Sequence, residues 1–286
     1  MQLGLKQHEL DFIKEAASFL EAPSALLRLT QCMGKQVGHL QHSAPHATQR
    51  LIKRAVHLSL KTALRLAIGT LPYQQHGSSS WPEIISGTKR SRWKHTAAVA
   101  TAGAVGGTLG TAGLMLEIPL TTSVMLRSIA STAQKWGYDL KDPEVQLHCL
   151  YVFSLGFTAD KDHVGLGPGY IDTRLAWHGM IRELAGFIGS HSLKDVFVAL
   201  ERGTLPALAK LVSLLIPSLE RAIMKNILSK SLPVLGALSS AVINATYCGY
   251  YSQAAQYHFG LMHLEAQHSL DLVQNQYALL NQARSA

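Results

Sequence analysis

The sequence predicts an all-α chain, folded as a single multi-helix bundle with two Gly/Ala-rich, uncharged helices at its centre. Three observations carry this reading. Apolar residues recur at three- and four-residue steps in several segments, the spacing that lines up side chains on one helix face. No stretch of useful length alternates apolar and polar residues as a half-buried strand does. Two long runs, residues 96–116 and 231–263, contain no Lys, Arg, Asp or Glu.

Residues 8–21 read as an amphipathic helix through Leu10, Ile13, Ala17 and Leu20. Pro23 begins a second, weaker helix. Pro45 and Thr48 introduce a long helix over about 46–69, which Gly69 and Pro72 end. In it Arg50, Arg54, His57, Lys61 and Arg65 step by 4, 3, 4 and 4, so they form one basic stripe. Ile52, Val56, Ala63 and Ala67 fall on other faces. Residues 1–73 thus form a basic N-terminal part. Residues 74–95 read as a loop, polar and rich in Gly, Ser and Pro. The loop ends in a basic cluster, Lys89, Arg90, Arg92 and Lys94, with Trp93 among them.

Residues 96–286 form the remaining core. The first uncharged run is mostly Ala, Gly and Thr. Gly103 with Gly107, and Gly106 with Gly110, make overlapping small-xxx-small pairs that allow close helix approach. Its 21 residues match a bilayer in length, but they are only weakly apolar. The second run carries Asn244, Tyr247, Tyr250, Tyr251 and Gln253, which are costly in lipid without partners. A buried core or a conditional insertion is therefore expected over a stable transmembrane pair. Glu117-Ile118-Pro119 breaks the pattern, and a helix resumes over 119–136 with Pro119 in its first turn. Asp142-Pro143-Glu144 caps a helix to about 155. A loop follows at 158–170, then helices at 170–188, 192–201 and 204–229, and a last helix over about 261–283.

Charge is concentrated. Of a net +8, residues 1–21 hold −2, residues 22–116 hold +10 and residues 117–286 hold none. An excess confined to one stretch points to a surface for an anionic partner. Charged residues make up only 15% of the chain, well below the usual quarter. The three cysteines, Cys32, Cys149 and Cys248, lie far apart with no CxxC, which fits a reducing compartment. The first residues, MQLGLKQHELDFIKEA, carry acids early and no long apolar core, unlike a secretory signal peptide.

Two segments resemble the EcsC family. In residues 103–156 the likeness lies in the Gly-rich helix, Glu117-x-Pro119-x-Thr121-Thr122, the Leu126-Arg127-Ser128-Ile129 helix and Asp142-Pro143-Glu144. In residues 232–265 it lies in Pro233-Val234-x-Gly236-Ala237, Asn244 and His258-Phe259. Between them Tyr170-x-x-x-Arg174 is similar to a further family element. The resemblance implies a helical protein associated with bacterial membranes, and a transport-linked role alongside an ABC transporter. Many relatives follow the Asn with an Asp-His pair and Phe-Gln. Here the stretch is Thr246-Tyr247-Cys248-Gly249-Tyr250-Tyr251-Ser252-Gln253, with neither Asp nor His. The pair best suited to acid–base chemistry is missing.

The basic stripe and cluster are the strongest physical signal. A basic helix beside uncharged helices suits the headgroup layer of an anionic membrane, and Trp93 suits its interface. The bland alternative is a solvated helix face and a basic loop. Nucleic acid is not expected, because no zinc-finger, homeodomain or RRM pattern is present. Glu117, directly after the first uncharged run, is either a buried proton-transfer group or a helix-terminal carboxylate near Pro119 or Arg127. No metal is expected. His258, His263 and His268 are five apart, so each step turns the helix by about 140° net and they share no face. Glu265 and His268 make one Glu-x-x-His where a di-iron bundle needs two. Asp160-Lys161-Asp162-His163 reads as a surface loop. No GxSxG, Walker A lysine or GxGxxG occurs, so no cofactor is expected.

The leading expectation is a non-catalytic peripheral protein on the cytoplasmic face of the cell membrane. It presents Arg50, Arg54, Lys61, Arg65, Lys89, Arg90, Arg92 and Lys94 to anionic lipid or to a membrane transporter. The competing expectation is a hydrolase or lipid-modifying enzyme with a polar cleft around Glu117, Asn244 and Tyr170.

Overall fold

In a computed structural model the described residues are 4–21, 46–67, 81–88, 96–97, 110–155, 169–216 and 236–285. They are helical, with no strand among them. In chain order the helices are α1 (Gln7–Leu20), α2 (His46–Arg65), α3 (81–88), α4 (Gly110–Lys135), α5 (Pro143–Leu155), α6 (Tyr170–Ser190), α7 (Leu193–Arg202), α8 (206–216), α9 (Gly236–Gln267) and α10 (Leu270–Ser285).

Helix α9 is the hub. It packs against α4, α1, α10 and α5. Helix α4 packs in turn on α2 and α5, α5 on α6, and α1 on α10. From Gly236 to His263 the helix carries no charge, so most of its circumference is covered by neighbouring helices, although Val242 stays exposed. Helix α5 follows the same logic, since every residue from Val145 to Leu155 is buried. Close approach between α1 and α9 needs a glycine. A Cβ on Gly260 would lie 2.3 Å from Phe12 Cζ and 2.8 Å from Trp136 Cζ2.

Several local signals work as expected. Asp142 accepts from the Glu144 amide (2.8 Å) ahead of Pro143, the first residue of α5. Ser192 and Asp195 form a reciprocal capping box at the start of α7, and Gly203 ends it at φ 63°.

Three expectations are corrected. Residues 81–88, read as part of a loop, are helical. Pro82 suits a first helical turn, and Ile84 and Thr88 turn into the core while Trp81 packs edge-on against Phe12 and Trp136. Helix α4 does not restart at Pro119 but runs through it. Proline removes one backbone bond. The flanking helices α2 and α9 hold the segment, and the hydroxyls of Thr121 and Ser123 donate to the carbonyls of Ile118 (3.0 Å) and Pro119 (2.7 Å). Finally, α9 continues to Gln267, beyond the expected helix start near 261. The break comes at Ser269, whose hydroxyl accepts from the Leu272 amide (3.2 Å) as a cap for α10.

The expected helix after Pro23, the loop at 158–168 and residues 98–109 of the first uncharged run lie outside the described residues. Helix 204–229 is described only over 206–216. Among the described residues no helix is long and apolar enough to cross a membrane.

Candidate functional site

Helix α2 divides its circumference between core and exterior. Ala55, Val56, Ser59, Leu60, Ala63 and Leu64 are buried. On the other side Arg50, Arg54, His57 and Arg65 are exposed and Lys61 is half-buried. The buried arc fixes the rotation of the helix, so the stripe points outward as a consequence of packing. Leu58 lies four residues after Arg54 and three before Lys61, and it stays 39% exposed among the cations. The far end of the stripe meets α7. Lys61 Nζ is 3.9 Å from Glu201, and the Arg65 guanidinium sits 5.6 Å from the centre of the Phe197 ring.

A second constellation is internal and joins five helices. The Tyr170 hydroxyl lies 2.7 Å from His258 Nδ1, and His258 Nε2 lies 3.0 Å from His148 Nδ1. Tyr151 stacks obliquely on His258 and edge-on against Trp177. One turn beyond Tyr170, Arg174 makes a two-point ion pair with Glu265, at 2.8 and 2.5 Å. Glu21, at the end of α1, accepts from the Tyr170 amide (3.0 Å) and from the Tyr277 hydroxyl (3.1 Å). A carboxylate from α1 thus caps the N-terminus of α6, where negative charge is favoured.

Burial sets the protonation of this cluster. It lowers His148 to about 3, with Arg174 and His178 acting the same way. His258 is pushed well below the usual histidine range, first by burial and then by His148 and Arg174. Burial raises the Tyr170 hydroxyl, and Arg174 only partly opposes this. Both imidazoles are therefore neutral at pH 7, and the phenol keeps its proton.

The residues singled out from sequence separate. Arg50, Arg54, Lys61 and Arg65 share one outward face. Lys89, Arg90, Arg92 and Lys94 lie outside the described residues. Glu117 belongs to α4, and its side chain is outside the described residues. Asn244 is buried on α9, fourteen residues before His258, which is about 21 Å along a helix axis. Tyr170 bonds to His258, so Tyr170 and Asn244 sit at different levels of α9. Sequence reasoning missed His148, His258, Glu21 and Tyr277 as members of the cluster around Tyr170. The one available signal was their type: polar residues inside otherwise apolar helices, which need partners once buried.

Among the described residues no group of three or more His, Cys, Asp or Glu could hold a metal ion. In comparison with known proteins, the family model described as the EcsC protein family matches residues 14–264. No curated protein and no solved structure matches the chain.

Proposed function

We propose that this chain, which belongs to the EcsC protein family, is a peripheral protein of the inner membrane face whose α2 stripe binds anionic lipid headgroups, without a reaction of its own. The observation that carries the reading is the exposure of the stripe on a helix whose opposite face is locked in the core. Near an anionic surface each Lys or Arg contributes about 1 kcal/mol, within a screening length of roughly 8 Å. Leu58, exposed among these cations, suits the boundary between headgroups and acyl chains. Lys89, Arg90, Arg92 and Lys94 add to the same +10 stretch. The enzymatic alternative draws little support. Tyr170 is bonded to His258 inside the bundle and is separated from Asn244 along α9.

Vesicle co-sedimentation tests the reading, with neutral and with phosphatidylglycerol-rich vesicles at low and high salt. The expected result is binding to the anionic vesicles alone, weakened by salt and lost in Arg50→Glu/Arg54→Glu/Lys61→Glu/Arg65→Glu. Binding that resists high salt and carbonate would point to inserted helices. No binding would remove lipid as the ligand and leave a membrane transporter as the partner to test.

A further inference from the structure

We propose that the Tyr170–His258–His148 chain is an acid-sensitive latch, in which the first added proton parts α9 from the α5–α6 pair while the rest of the bundle stays folded.

The hydrogens along the chain can be placed one by one. Arg174 is the cation beside the Tyr170 hydroxyl. A neighbouring cation draws the oxygen lone pairs toward itself and turns the hydroxyl hydrogen away, toward His258 Nδ1. His258 Nδ1 then accepts, so the single hydrogen of its neutral ring sits on Nε2. That hydrogen points at His148 Nδ1, 3.0 Å away, and the His148 hydrogen is left on Nε2. Every position along the chain is filled. A proton added to His148 Nδ1 would face the His258 N–H. One added to His258 Nδ1 would face the Tyr170 O–H at 2.7 Å. The first sets donor against donor in a buried site, and the second is relieved only by turning the Tyr170 hydroxyl hydrogen back toward the Arg174 cation.

The surroundings give no relief. From α6 come Tyr170, Arg174 and His178; from α5, His148 and Tyr151; from α9, Glu265; from α10, Tyr277; from α1, Glu21; and from the turn before α5, Tyr138. The two carboxylates are already engaged, Glu265 by Arg174 and Glu21 by the Tyr170 amide and Tyr277. The one cation nearest the chain, Arg174, repels a second. The chain bridges three helices, so breaking it leaves the seam to the Arg174–Glu265 pair and the Tyr250–Leu155 bond, which part with it when the seam opens.

Both histidines are held below their ordinary range in the closed site. An opened site binds more protons than the closed one below pH ~6.5. Opening is therefore favoured by acid, about tenfold per pH unit for one proton and about a hundredfold for two. Acid opening needs no lipid.

The test is hydrogen exchange read by mass spectrometry from pH 8 to 4, corrected for intrinsic exchange, on the full chain. Peptides from residues 143–155, 170–190 and 250–267 should lose protection below pH ~6.5 before those from α2 and α4. His148→Gln/His258→Gln, which cannot titrate, should keep whatever protection it has at pH 8 across that window. The same acid dependence in the double variant would overturn the proposal. Should the variant not fold, imidazole NMR of the unaltered protein decides. Rings that stay neutral until protection is lost support the latch, and a ring that protonates with protection intact overturns it.

Discussion

Arg174 on α6 and Glu265 on α9 hold each other by two bonds, and their side chains are only 12% and 8% exposed. Burial by itself works against the Arg174 charge, and Tyr170 and Glu265 more than offset it. Removing one partner strands the other. Arg174→Met or Glu265→Leu alone is expected to cost about 3–5 kcal/mol, and the double variant clearly less than the sum. Urea unfolding of the four proteins in a double-mutant cycle measures this; additive losses would mean that the pair is not coupled.

Gly260 is a matter of space rather than backbone freedom. Its missing Cβ leaves room for Phe12 and Trp136, so Gly260→Ala forces these two rings out of their packed positions between α1 and α9. The expected loss is about 1–3 kcal/mol. Adding Phe12→Leu should return part of it, seen as a partial recovery of Tm. A Gly260→Ala protein as stable as the parent would show that the two rings shift freely.

Glu9 is buried, accepts from the Lys6 amide (2.6 Å) and pairs with His268 at 3.2 Å. Burial raises its carboxyl, but the Lys6 amide and His268 outweigh that and leave it below the ordinary value. A lowered carboxyl stabilises the fold above its ordinary range and loses this as pH falls through it. Glu9→Gln should therefore be less stable at pH 7 and lose less between pH 5 and 3. Urea midpoints across that range report it.

The stripe should not act uniformly. Lys61 and Arg65 already meet Glu201 and Phe197 on α7, so their charge is partly spent. Arg54→Ala is expected to lower affinity for anionic vesicles about fivefold, near the 1 kcal/mol of one basic residue. Lys61→Ala should lower it less. Equal losses would mean that α7 does not shield the stripe.

Cys149 and Cys248 are buried thiols, and burial raises Cys149 to about 12 and Cys248 in the same direction. Thiolate is the reactive form. Both should resist iodoacetamide at pH 8 in the native chain and react once urea unfolds it, as peptide mass spectrometry would show.

Much of the fold was legible because local signals and packing agree. The α2 stripe could be read from its four- and three-residue steps. The Asp142-Pro143 cap could be read from the chemistry of the first turn. The join of α9 and α10 is not legible in the sequence, because an uncharged run gives no periodic signal and Ser269 is one polar residue among several near the join. Residues 81–88 were hidden by Ser, Gly and Pro, and it was the core around Phe12 and Trp136 that drew Trp81 and Ile84 inward.

By itself, then, the sequence determined the helical class, the family and the outward basic face, because each depends on residues close together in the chain. Only the tertiary structure decided that Tyr170 meets His258, and through it His148, rather than Asn244. Those partners stand 88 residues beyond Tyr170 and 22 before it. No local spacing encodes which buried polar groups meet; packing α5, α6 and α9 together chose them, because each had to find a partner once water was excluded.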